Sequence, residues 1–167
     1  MSTAPIPPLP SEMIEFAHGG VSVLVGTCGA DLAPDCVRGV GIRVWPGGCR
    51  ATVLVPLATS AACRANLAAT GRVAVTLAAI PTHRSIQLKG PAAVRDGDAA
   101  DHELARRYRA AFAQELGWAG HPLANGSRLA IWPCAAIELE IEHVFAQTPG
   151  PAAGERMPLA PRPVGRP

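Results

Sequence analysis

Residues 66–90 read NLAATGRVAVTLAAIPTHRSIQLKG, and their reading decides the fold. Asn66 to Thr70 finish a helix that Gly71 closes. Val73, Val75 and Leu77 then recur at every second position, the period of a strand buried on one face. Ile80-Pro81-Thr82 makes a turn. In the strand after it, Ile86 and Leu88 point one way while Ser85, Gln87 and Lys89 point the other. Two strands joined by so short a turn pair antiparallel. The polar side of the second strand has two readings, a wet outer face or the edge of a lined site.

Upstream, residues 4–10 are Pro-rich and form an arm or surface strap. Ser11 is expected to cap a short helix, SEMIEFAH, that Gly19-Gly20 ends. Strands are expected at 21–28, 35–44 and 50–56. Gly39 and Gly41 stand inside the second of these, marking a bulge or a close approach by a ligand or backbone. Thr59 or Ser60 caps the helix SAACRANLAAT. Downstream, Asp96-Gly97-Asp98 turns into a long helix with Leu104, Tyr108, Phe112 and Leu116 on one stripe. After a loop at 117–125, a strand near 136–145 alternates Ile137, Leu139 and Ile141 with Glu138, Glu140 and Glu142. The three glutamates read as a solvent- or dimer-facing side. The chain thus divides into an arm (1–10), one domain (11–148) and a Pro/Gly-rich tail (149–167). Short turns between six strands predict a mainly β fold, a six-stranded antiparallel split β-barrel with inserted helices.

With 49% hydrophobic and 17% charged residues among 167, the chain can build one sizeable core. Net charge is +2, with one Tyr and three Phe and no dense basic patch, which argues against nucleic-acid binding. The five cysteines lack CxxC spacing, and no apolar run reaches membrane-spanning length. The start of the chain lacks the basic and apolar regions of a signal peptide. The expectation is a cytoplasmic protein with reduced thiols, no metal and no membrane partner.

Several motifs resemble the split-barrel flavoproteins related to pyridoxamine 5′-phosphate oxidase. Arg38 and Arg43 stand five positions apart on one strand. The stretch TSAACRANL carries Thr59, Ser60 and Arg64. Residues 70–73 (TGRV) match a helix end and strand start, and Arg84-Ser85-Ile86-Gln87-Leu88-Lys89-Gly90 matches the strand that follows. The pattern runs without a gap from Val55 to Gly90. There are three departures: Cys63 stands where the family has a helix lysine, Ser85 stands where it has a flavin-contacting glutamine, and the C-terminal Arg-x-His element is missing. The resemblance implies FMN bound at the interface of a homodimer and oxidoreductase activity on a small molecule. The alternatives are a non-catalytic flavin carrier or sensor, and a haem-binding split barrel with His83 as axial ligand.

The phosphate of FMN calls for cations, hydroxyls and free amides, which Thr59, Ser60, Arg64 and the start of their helix offer. Arg38 or Arg43 could reach it as well, but on a regular strand they lie on opposite faces. Arg64 is equally readable as a solvated helix charge. The ring calls for donors at its polar edge, and Arg84, Ser85, Gln87 and Lys89 are the candidates. Lys89 is the only lysine in the chain.

Overall fold

The alternation read in the sequence becomes eight strands and three helices among the described residues, which in this computed structural model are 8–122 and 128–159. The arm up to residue 7, residues 123–125 of the loop and the tail from residue 160 lie outside them. The elements are α1 (Ser11–His18), β1 (Ser22–Cys28), β2 (Pro34–Arg38), β3 (Ile42–Val44), β4 (Arg50–Pro56), α2 (Ala61–Thr70), β5 (Arg72–Ala78), β6 (Ser85–Asp96), α3 (Ala99–Trp118), β7 (Cys134–Glu140) and β8 (His143–Ala146).

Every ladder is antiparallel. The strand order is β2-β1-β5-β6-β7-β4-β3, with β8 also paired to β6. Six expected strands and eight observed ones are the same runs of chain. The run at 35–44 divides into β2 and β3 because successive amides turn to different neighbours. Gly39 N–H donates to Val23 O (2.9 Å), and Val40 N–H donates to Leu54 O (2.8 Å). A Cβ at Gly39 would stand 2.5 Å from Val23 Cγ1, so the close approach there is one of backbone to core, not to a ligand. The last strand divides into β7 and β8 at a bulge where Glu142 N–H donates to Lys89 O (2.9 Å). There the Glu140 carbonyl lies directly against Gly90, in the space a Cβ would fill. The two ends of the pairing path, β2 and β3, do not pair with each other but are halves of one run. The barrel is split along that run, and α3 lies beside it: Asp101 faces Arg43, and Phe112 faces Arg38.

One face of each strand fills the interior. Val23, Val25, Val53, Val55, Val75, Leu77, Leu88, Ile137, Leu139 and Val144 are fully buried. On α3, Tyr108 and Phe112 are buried, while Leu104 and Leu116 pack half-buried at the margins of the core. Asp98 caps α3 in a reciprocal box with Asp101. At α1 the expected Ser11 cap is not formed. Pro10 takes the N-cap position, Ser11 is the first helical residue, and no side chain caps the helix. The end of the arm is a strap, since Leu9 is buried and its N–H donates to Gly48 O (3.0 Å). The start of the tail is ordered along β8, where Met157 N–H donates to Val144 O (2.8 Å). Among the described residues no helix is long and apolar enough to cross a membrane.

Candidate functional site

The sequence candidates fall in three places. The first is the start of α2. Ser60 occupies the N-cap position, but its side chain makes no cap hydrogen bond. Its hydroxyl is fully buried and has no partner among the described residues. A buried hydroxyl left unpaired costs about 1–3 kcal/mol. The first intrahelical bond is Arg64 N–H to Ser60 O (2.9 Å), which leaves the amides of Ala61, Ala62 and Cys63 ahead of it. No acidic side chain occupies this first turn. Arg64 Nε is also buried without a partner. Thr59 is exposed beside them. Cys63 is buried, and burial pushes its thiol up, so it is not a thiolate nucleophile.

The second place is the outer face of β1, β5, β6 and β8. Gln87 lies between Thr76 and Phe145, and Lys89 between Ala74 and His143. Gln87 Nε2 donates to Thr76 Oγ1 (2.9 Å). Lys89 Nζ sits 4.8 Å from the centroid of the Phe145 ring and has no hydrogen-bond or ion-pair partner among the described residues. His143 Nδ1, opposite Lys89, is buried and unpartnered. Ser85 does not share this open face. Residues 147 and 148 cover it, and its hydroxyl turns back to His83 O (3.3 Å). Arg84 is engaged elsewhere too, 2.7 Å from Glu12 and 4.7 Å from the Phe16 ring centroid, tying the start of β6 to α1. His83 is exposed in the preceding turn.

The third place holds the strand arginines. The break at 39–41 adds a residue, so Arg38 and Arg43 both face outward where a regular strand would oppose them. Arg38 Nη1 donates to Ser22 Oγ (3.2 Å). Arg43 lies 4.5 Å from the Trp45 ring centroid. Arg43 is not grouped with Arg64, because α2 packs against β1, β6 and β2, whereas β3 packs against α1, β4 and α3; Arg38, at the end of β2, turns to Ser22 and the Phe112 ring instead.

Around Arg43 the structure builds a feature the sequence reading missed. Trp45 Nε1 donates to Thr52 Oγ1 (2.9 Å), and Thr52 Oγ1 donates to Glu138 (3.0 Å). Arg95 Nε donates to Glu138 (2.9 Å), and Arg95 Nη1 to the buried Asp101 (2.5 Å). Arg43, 3.6 Å from Asp101, closes the ring of contacts back to Trp45. Burial alone would raise the Asp101 carboxyl. The hydrogen bonds from Arg95 and from the Asp98 amide, with the charges of Arg95 and Arg43, outweigh that and hold it below the usual range. The outward parity of Glu138 was readable, but its pairing across strands with Thr52 and Arg95 was not. Among the described residues no group of His, Cys, Asp or Glu could hold a metal ion.

The split sheet with its three helices recurs in solved structures. A Lactobacillus delbrueckii protein proposed to be a pyridoxamine 5′-phosphate oxidase is 18% identical over 83% of this chain and 94% of its own, with a TM-score of 0.54. This chain has the split-barrel fold. HupZ of Group A Streptococcus shares it at 17% identity over 87% of this chain and 99% of its own, with a TM-score of 0.53. At such identities the likeness is one of fold. No protein-family model matches the sequence. No match arises among curated proteins.

Proposed function

We propose that the chain is an FMN-binding flavoprotein, an oxidoreductase of the pyridoxamine-phosphate-oxidase-like type that acts on a small molecule. The observation that carries this reading is the start of α2. A fully buried, unpartnered Ser60 hydroxyl stands with three leading amides and a buried, unpartnered Arg64 Nε, and the first turn of α2 carries no acid of its own. These are the donors a phosphate monoester needs, and a helix start adds its positive dipole end. The donor set fits the phosphate of FMN.

In this reading the Ser60 hydroxyl and the amides of Ala61, Ala62 and Cys63 bind the phosphate, with Arg64 donating from the next turn. Gln87 has one amide hydrogen left after Thr76, and Lys89 has all its donors, so both are available to the polar edge of the ring. Lys89 places positive charge where negative charge would grow on reduction. Bound flavin would supply the electron-transfer chemistry. Ser85 and Arg84 take no part, being held by other contacts, and Arg43 lies on β3, which does not pack against α2.

The open outer face of β1, β5 and β6 carries Leu24, Gly26, Ala74, Thr76 and Ala78, with Leu24 38% exposed. A face this flat and small-sided supports a homodimer that would cover the ring side of the site. The test is incubation of the purified protein with FMN, gel filtration, and an absorbance spectrum. The reading expects a yellow dimer that NADPH bleaches without oxygen and air restores. A colourless monomer after gel filtration overturns it. A yellow protein that no nicotinamide reduces would be a carrier.

A further inference from the structure

A cavity of about 800 Å³ opens on the outer face of β3, β4, β7 and the second half of β6. It shares no residue with the FMN site proposed above. Its apolar lining includes Pro91 and Ala93, with Trp45 at one side. The ring of contacts from Trp45 through Thr52, Glu138, Arg95 and Asp101 to Arg43 fixes that side rigidly. Within it, Arg95 is saturated by Asp101 and Glu138. Arg43 is not, since its one ion pair is long at 3.6 Å and its side chain is 28% exposed.

Next to the ring, Arg50 and Glu140 also line the cavity. They are register partners across β4 and β7, yet neither has an ion-pair partner among the described residues. Trp45 N–H donates to Arg50 O (2.9 Å), so Arg50 sits directly across the hairpin from the indole. The cavity therefore keeps two kinds of spare charge beside an apolar floor: guanidinium donors on Arg43 and Arg50, and a carboxylate on Glu140. Asp98, also in the lining, lies 3.7 Å from Arg95.

We propose that this cavity binds a zwitterionic small molecule of the amino-acid class, with its carboxylate on Arg43 and Arg50, its ammonium on Glu140, and an apolar side chain over Pro91, Ala93 and Trp45. The mixed lining selects the class. A simple anion would meet the unpaired Glu140, and a simple cation would meet Arg43 and Arg50. A zwitterion answers both, and a carboxylate on a guanidinium is a charge-assisted contact. The flavin reading is not needed for this site.

The test uses saturation-transfer NMR and titration calorimetry on the full chain. The probes are L-phenylalanine, L-leucine and L-methionine, with N-acetyl-L-phenylalanine and L-phenylalaninamide as single-charge controls. At least one amino acid binds, and each single-charge phenylalanine derivative binds about fivefold or more weakly than its zwitterion, the worth of one exposed ion pair. Arg50→Ala and Glu140→Gln each weaken the amino acid by a similar factor, while their near-UV circular dichroism and FMN uptake stay unchanged. No binding by any of the three amino acids overturns the proposal. So do equal binding by a single-charge derivative and unchanged affinity in both variants. FMN uptake is read separately, so the failure of either site is seen without the other.

Discussion

Asp101→Ala is the sharpest structural test of the network. Asp101 is 0% exposed and does three jobs. It closes the capping box of α3 by accepting the Asp98 N–H (3.1 Å), takes two hydrogen bonds from Arg95 (2.5 and 3.3 Å), and faces Arg43 at 3.6 Å. Loss of a helix-start box costs about 1 kcal/mol. Loss of a charge-assisted pair adds about 1.5–3 kcal/mol. The lower end applies because Arg95 keeps Glu138 and is 36% exposed, so water can solvate what Asp101 leaves. A loss of about 2.5–3 kcal/mol is expected overall. With an m-value of about 2 kcal/mol/M, the urea midpoint falls by about 1.2–1.5 M. Far-UV circular dichroism follows the helices, and in a Trp118→Phe, Trp132→Phe background tryptophan fluorescence follows the Trp45 end of the network. The carboxyl titrates lower in the folded protein than in the unfolded chain, so its stabilisation is present above the unfolded value, near pH 4, and fades as pH falls through the folded value. Asp101→Ala loses that part of the acid dependence. A midpoint within about 0.3 M of wild type would refute the reasoning, because the carboxylate would then be contributing no more than a surface charge.

Three further outcomes follow. His18 Nε2 accepts the Val44 N–H (3.0 Å), so it must be neutral, and burial together with the Arg107 charge lowers its pKa. Its share of stability is whole above the unfolded value near 6.5 and is lost as pH falls below that toward the folded value. The urea midpoint of wild type should therefore drop between pH 8 and pH 5.5 by more than that of His18→Gln, and equal drops would refute the assignment. Gly90→Ala puts a methyl against the Glu140 carbonyl at the β7–β8 bulge and should cost about 3 kcal/mol or more by the same urea assay; a near-neutral result would mean the bulge yields easily. Arg84→Ala removes an exposed pair with Glu12 and should change stability by less than about 1 kcal/mol and leave FMN affinity within about twofold. A large loss of FMN affinity would return Arg84 to the cofactor site.

Most of the barrel was legible because period-2 burial is written into Val73-Val75-Leu77 and Ile86-Leu88, and register follows once one face must be inside. The run at 35–44 showed its glycines but not what approached them, since backbone closure and ligand approach leave the same mark in a sequence. The parity of Arg38 and Arg43 depended on that break and could not be read without it. Ser60 was legible as a helix start, but its orphaned hydroxyl needed the packing of α2 on β1 and β6. Ser85 reads as a polar outer-face residue until residues 147 and 148 fold over it. Arg84 reads as a free cation until α1 brings Glu12 to it, 72 positions away along the chain. The ring around Asp101 joins residues from β3, β4, β6, α3 and β7, and long-range side-chain pairing of that kind leaves no local signal.

FMN binding here depends on a phosphate site at the start of α2. The most direct measurement is the ratio of FMN to riboflavin affinity, by quenching of flavin fluorescence, in wild type and in Arg64→Ala. Two or three charge-assisted phosphate contacts predict that wild type favours FMN by about 100-fold, and that the variant loses about tenfold of that preference with riboflavin affinity unchanged. Equal affinity for FMN and riboflavin in wild type, or a preference that Arg64→Ala leaves intact, would contradict it.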